Sequence, residues 1–199
     1  MKIINQSTIL TVLIITLLWA CKNGDRKVYK STSQFPITEE SIFNLTGNWQ
    51  TQNNDTLQLH DLKGKVLVVV MIYTSCKAAC PRLVADMRDI ESKMPEDKLD
   101  GLNFILVSID PEVDNPIRLK SFAIKNEMQA THWTFLQGTP SRVQEFANVL
   151  AVKYKQISPM DFSHSNIISV FNNQGELIHQ QEGLGVNSEE TIEIILSLL

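Results

Sequence analysis

From residue 56 onward the apolar positions fall into blocks, and each block matches one kind of element. "TLQLHDL" (56–62) alternates apolar and polar residues, as a half-buried strand does. After the turn "LKGK", "VLVVVMIY" (66–73) is an unbroken, β-branched run that predicts a strand buried on both faces. Pro81 suits the first turn of a helix, where its missing N–H is an orphan anyway. Leu83, Val84, Met87, Ile90 and Met94 then recur at helical spacing. "LNFILVSID" (102–110) predicts a second buried strand, and "NPIRLKSFAIKNEM" a helix with an Asn cap and a first-turn Pro. "HWTFLQG" reads as a short strand, and "TPSRVQEFANVLAVKY" (139–154) as a helix capped by Thr139. "SNIISVFNNQGELIHQQEG" (165–183) predicts two strands joined by a tight Asn/Gly turn. "NSEETIEIILSLL" closes the chain as a helix capped by Asn187 or Ser188, with Glu in its first turn.

Strands alternating with helices, followed by a hairpin and a last helix, predict an α/β fold of thioredoxin-like plan. A central mixed β-sheet is flanked by helices, with a C-terminal β-hairpin and helix. The cysteine-bearing stretch "YTSCKAACPRL" (73–83) then falls at the C-terminal edge of a central strand, where open α/β sheets present their sites.

The N-terminus follows a different pattern. In "MKIINQSTILTVLIITLLWACKNGD" a lysine precedes an apolar core from Ile9 to Trp19, too short for a stop-transfer helix and right for a signal peptide. "LLWAC" resembles a bacterial lipobox, with Leu18, Ala20 and Cys21 in register and a bulky Trp19 between them. The expected organisation is a lipoprotein signal peptide (1–20), a lipid-anchored tether (21–45) that ends in a short strand near Phe35-Pro36-Ile37, and one folded domain (46–199). That places the protein in the cell envelope, held to a membrane by a lipid on Cys21 and facing the periplasm. An acylated Cys21 leaves only Cys76 and Cys80 for thiol chemistry. The 199 residues are 43% hydrophobic, enough for one core, and a net charge of −4 offers no basic field for nucleic acid.

Cys76 and Cys80 lie where a strand ends and a helix begins. Helix-start amides and the positive dipole end favour thiolates there, so both thiols are expected to be acidic. Three residues separate them, Lys77, Ala78 and Ala79, one more than in a thioredoxin-type dithiol. The spacing allows a disulfide or two sulfurs facing one ion. Two soft thiolates select Cu(I), and an added imidazole also accommodates Cu(II). His164, just before a buried strand, is the best third ligand; His60 and His179 read as solvated and His132 as packed or exposed. Structural zinc would need a second Cys/His pair that is missing. A peroxiredoxin would need its threonine three residues before the cysteine, whereas Thr74 is two before Cys76. A disulfide that merely stapled this loop would stabilise by only about 2 kcal/mol.

These residues resemble the SCO/SenC copper-binding proteins. "YTSCKAACP", "VSIDPEVDNP", "WTFLQGTPSRVQEFANVLAVKY" and "FSHSNIISVFNNQGE" are similar to four of that family's segments, in order, over residues 45 to 198. The resemblance implies that Cys76, Cys80 and His164 bind copper and that the two cysteines form a redox-active disulfide. It implies a partner too: the cytochrome c oxidase subunit whose CuA centre is being assembled, or another copper protein. Asp110 and Asp114 match acidic positions near the family's site; Asp110 is expected beside the ligands and Asp114 as a helix-start carboxylate. This chain departs from the family in having Lys77-Ala78-Ala79 between the cysteines, Ser163 before the histidine and Ile72 in place of a glycine. Lys77 brings a cation toward the thiols, which would favour redox work. Copper delivery and a thiol–disulfide oxidoreductase that keeps partner cysteines reduced in the envelope therefore both remain open.

Overall fold

The computed structural model describes residues 37–159 and 161–199. The elements run β1 (Trp49–Thr51), β2 (Thr56–Leu57), β3 (Val66–Ile72), α1 (Ala79–Ser92), β4 (Leu102–Ser108), α2 (Pro116–Lys125) and β5 (Trp133–Gln137). Then follow α3 (Pro140–Val149), β6 (Tyr154–Ser158), β7 (Asp161–His164), β8 (Ile167–Phe171), β9 (Leu177–Glu182) and α4 (Glu189–Leu198). Seven strands form one sheet in the order β2-β1-β5-β4-β3-β8-β9. Pairing is parallel between β3 and β4 and between β4 and β5, and antiparallel elsewhere. This is the expected mixed sheet of thioredoxin-like plan.

β3 and β4 are buried at every position. A strand with no exposed residue has both faces covered, which is why β3 is continuously apolar and β4 nearly so rather than alternating. α1 packs Leu83, Val84, Met87 and Ile90 into the core at helical spacing. It begins at Ala79, so Cys80 and Pro81 both lie within its first turn. The Asn115 side chain accepts the Arg118 amide at the start of α2, and the Thr139 hydroxyl accepts the Arg142 amide at the start of α3. At α4 the Asn187 side chain, rather than that of Ser188, accepts the Glu189 amide, at 3.0 Å.

Three expectations shift. Only Thr56–Leu57 of the stretch 56–62 is strand, paired with β1; residues 59–62 wind into a 3-10 turn. Leu59 and Leu62 are both buried there, because a three-residue step brings them to the same side. The helix expected over 139–154 stops at Val149, where Ala151 takes a positive φ of 54°. Tyr154 instead opens a two-stranded hairpin, β6–β7. Finally, Ile42 and Phe43, within the stretch read as tether, are buried in the core. The Ile42 amide donates to the Gly175 carbonyl at 2.9 Å. Gly175 has φ +79°, and a Cβ there would come within 2.8 Å of the Phe43 ring, so glycine is what the close approach requires. The signal peptide, Cys21 and residues 35–36 lie outside the described residues. Among the described residues no helix is long and apolar enough to cross a membrane.

Phe43→Ala is expected to cost about 3–5 kcal/mol, read as a lower urea midpoint in a domain that starts after Cys21. A change near zero would return residues 41–45 to the tether.

Candidate metal centre

Parallel pairing sets Ile72 of β3 level with Ser108 of β4, so the residues that follow both strands share one edge of the sheet. Thr74 follows β3, and Asp110 to Asp114 follow β4. Asp114 is fully buried. Its carboxylate accepts the Thr74 amide at 2.9 Å, the Thr74 hydroxyl, and the Ser108 hydroxyl at 2.7 Å. Three donors compensate a charge that would otherwise be costly to bury. Asp114 is therefore no simple helix-start carboxylate, because it anchors the cysteine loop. Asp110, also buried, serves this turn through its backbone: its carbonyl accepts the amides of Val113 at 3.1 Å and Asp114 at 2.9 Å. Burial raises its carboxyl pKa, and the like charge of Asp114 adds to the rise. The sequence offered one clue to Asp114, an acid beside the Asn-Pro helix start, and that clue fits an ordinary cap equally well.

His164 comes from the hairpin, paired with Tyr154 at its base. It ends β7 rather than sitting in a loop. The Ser165 amide donates to the Lys153 carbonyl at 2.8 Å and closes that base. Tyr73 holds the hairpin from the other side. Its hydroxyl donates to the Asp161 carboxylate, and its ring meets Phe162 at 5.2 Å and the edge of His164 at 5.8 Å between centroids. Nδ1 of His164 lies 3.0 Å from the Ser165 carbonyl. A carbonyl only accepts, so Nδ1 carries the proton and the Nε2 lone pair is left for a ligand. Nε2 lies 3.8 Å from Cys80 Sγ. Burial lowers the His164 pKa, with the Ser165 carbonyl opposing, so the neutral imidazole persists below its ordinary 6.5.

The two thiols are unlike. Burial raises the Cys76 pKa, but hydrogen bonds from Cys80 and from the Ala78 backbone outweigh it, and the net shift is downward. One of these is the Cys80 amide, 3.3 Å from Cys76 Sγ, at the start of α1. Cys80 is fully buried, and burial pushes its thiol far up, reinforced by Cys76 and by the charge of Asp114. The expectation of two acidic thiols thus holds for Cys76 alone, because loss of solvent outweighs the helix start at Cys80. Lys77 is exposed. Both cysteines are free thiols.

Ligand atoms of Cys76, Cys80 and His164 all lie within 4.8 Å of one another. Metal bonds of about 2.0–2.3 Å put ligand atoms roughly 3.3–4.0 Å apart in tetrahedral or trigonal geometry, so a small inward adjustment lets the three close on one ion. Among the described residues no other such group occurs. His60 is exposed, His132 contacts Glu91 at 2.5 Å, and His179 is half-buried against Thr191 at 3.0 Å. His179 is thus bonded rather than freely solvated.

The SCO1/SenC family model matches residues 35–199. The chain belongs to the SCO1/SenC family. It is 36% identical over 100 residues to the SCO1 protein homolog of Bacillus subtilis, an alignment that covers 50% of this chain and 51% of that protein. The chain thus spans about half the length of that curated relative. A SCO1/SenC family lipoprotein of Bacillus anthracis superposes with TM-score 0.70 at 25% identity, covering 77% of this chain and 92% of the other. BsSco, described as a cytochrome c oxidase assembly protein with a disulfide switch, superposes with TM-score 0.67 at 26% identity over 76% and 90% of the chains. Copper-bound ScoI of Bradyrhizobium japonicum shares the fold at TM-score 0.66 and 23% identity, over 76% and 96%.

In this SCO1/SenC domain, iodoacetamide is expected to label Cys76 first, reaching half its maximal rate at a pH below the ordinary thiol pKa of 9.0. Cys80 should react only after unfolding, and equal labelling of the two in the native domain would contradict the asymmetry. Asp114→Ala, which strands buried donors on Thr74 and Ser108, should cost on the order of 3 kcal/mol in urea unfolding and speed Cys80 labelling.

Proposed function

We propose that this protein is a membrane-anchored copper carrier of the cell envelope. It takes copper on Cys76, Cys80 and His164 and passes it to the CuA centre of a cytochrome c oxidase subunit during assembly. The observation that carries the reading is the convergence of two sulfurs and one imidazole nitrogen, with that nitrogen's lone pair turned toward the Cys80 sulfur. Two thiolates suit Cu(I), and the imidazole extends the set to Cu(II). Cys80 must lose its proton to bind, so loading releases protons and strengthens as pH rises. Cys76, the more accessible ligand, is where an acceptor's own thiolate can enter and begin the exchange. Anchoring rests on the lipobox-like "LLWAC" at Cys21 and on the structural relative described as a lipoprotein.

The asymmetry of the thiols supports a second reading, a thiol–disulfide oxidoreductase. An accessible, more acidic Cys76 attacks a partner disulfide, and the shielded Cys80 then resolves the mixed disulfide. Copper and thiol exchange draw on the same reduced pair.

A domain starting after Cys21, reduced and titrated with Cu(I) and Cu(II), should bind one copper. Cys76→Ala and Cys80→Ala should abolish retention against a moderate chelator, and His164→Ala should weaken it. Tyr73→Phe should weaken copper about tenfold by freeing the hairpin that presents His164. A reduced wild-type domain that yields its copper to that chelator would rule out the carrier. Trapping a partner on Cys76 in Cys80→Ser, with no dependence on His164, would favour the oxidoreductase.

A further inference from the structure

Cys76 borders an open cleft of about 350 Å³ that His164 does not line. Its walls include Pro81 beside the cysteine and, from α2 and the residue after it, Arg118, Phe122, Lys125 and Asn126. No lining residue is acidic. Asp114, close by, is fully buried and engaged by Thr74 and Ser108. Arg118 interacts electrostatically with buried Asp110, whose surroundings also include the exposed Glu112, which does not line the cleft. Neither Arg118, Lys125 nor the exposed Lys77 forms an ion pair among the described residues. This basic lining runs against the sign of the whole chain, which carries 22 acidic and 18 basic residues. A local field opposite to the net charge, placed at the reactive thiol, steers one class of partner.

We propose that this cleft is the docking groove for the partner's cysteine-bearing segment, and that the segment carries acidic side chains next to its cysteine. The inference rests on the reading of Cys76 as the site's exchanging thiol and adds the chemistry of what it meets. Phe122 and Pro81 supply an apolar wall for the segment's backbone, while Arg118 and Lys125 select its charge. A neutral or basic segment would reach Cys76 without that attraction.

The test uses the reduced domain and two synthetic peptides, each with one cysteine held as a disulfide to thiopyridine. One peptide is flanked by Asp and Glu, the other by Lys. The Cys76 thiolate attacks the peptide sulfur, the bond to the pyridine sulfur breaks, and thiopyridone leaves with the electron pair and takes up a proton. Its release gives the rate. The acidic peptide should react on the order of tenfold faster at low salt, with the ratio falling toward one at high salt. Arg118→Glu with Lys125→Glu should erase or invert the preference, and Arg118→Gln with Lys125→Gln should reduce it. Neutral dithiodipyridine should react at the wild-type rate in both variants, and copper binding should be unchanged. Equal peptide rates with normal dithiodipyridine reactivity would overturn the groove while leaving the exchanging thiol intact. A Cys76 inert to dithiodipyridine would overturn both. A small dicarboxylate disulfide that shows the same selectivity as the acidic peptide would assign the cleft to small anions, against the proposal.

Discussion

Asp114 accepts hydrogen bonds from Thr74, just beyond β3, and from Ser108, the last residue of β4, with none of its surface in water. The rest of the site depends on this junction. Thr74 stands two residues before Cys76, so a fixed Thr74 sets where the cysteine loop leaves the sheet and how α1 begins. A buried carboxylate is tolerable only while all its donors stay in place. The arrangement is therefore close to all-or-none, which fixes the position of the sulfurs.

The remaining ligand depends on a different support. His164 rides on a hairpin that pairs only with itself, and Tyr73 on the sheet side holds that hairpin through Asp161 and Phe162. Tyr73 and Thr74 are consecutive, so one short stretch after β3 organises both halves of the centre. Its tyrosine reaches the imidazole's carrier and its threonine reaches the carboxylate beneath the thiols. The imidazole is thus carried by an element separate from the one that carries the two sulfurs. The carbonyl of Ser165 fixes the tautomer, so the nitrogen nearest Cys80 keeps its lone pair.

Burial divides the work between the two cysteines. The same helix start offers its amide to Cys76 and its shielded interior to Cys80, lowering one thiol and raising the other. Only the accessible thiol opens onto the basic cleft of α2. Metal holding uses both sulfurs and the imidazole, whereas exchange needs the exposed sulfur first. The proposed copper binding and thiol exchange would thus be separable by geometry even though they share atoms.

Much of this was legible in the chain itself. The unbroken apolar run of β3 and the nearly unbroken one of β4 report strands covered on both faces, and the Asn115-Pro116 and Thr139-Pro140 pairs report helix starts, because burial and capping are local to their residues. The cysteine spacing and a histidine ahead of a buried strand named the ligand types in the same way. Hydrophobic patterning failed where a contact spans the fold. The short β1–β2 hairpin and β6–β7 have little apolar periodicity, and the buried Ile42 and Phe43 are packed by a turn more than a hundred residues away in the chain. Residue types and order by themselves determined the central strands, the helix starts and the candidate ligands. Only the tertiary structure decided that Asp114 underpins the loop, that the thiols differ, and that His164 turns Nε2 toward Cys80. These properties depend on desolvation and on hydrogen bonds between residues 40 to 88 apart in sequence, and no local pattern encodes them.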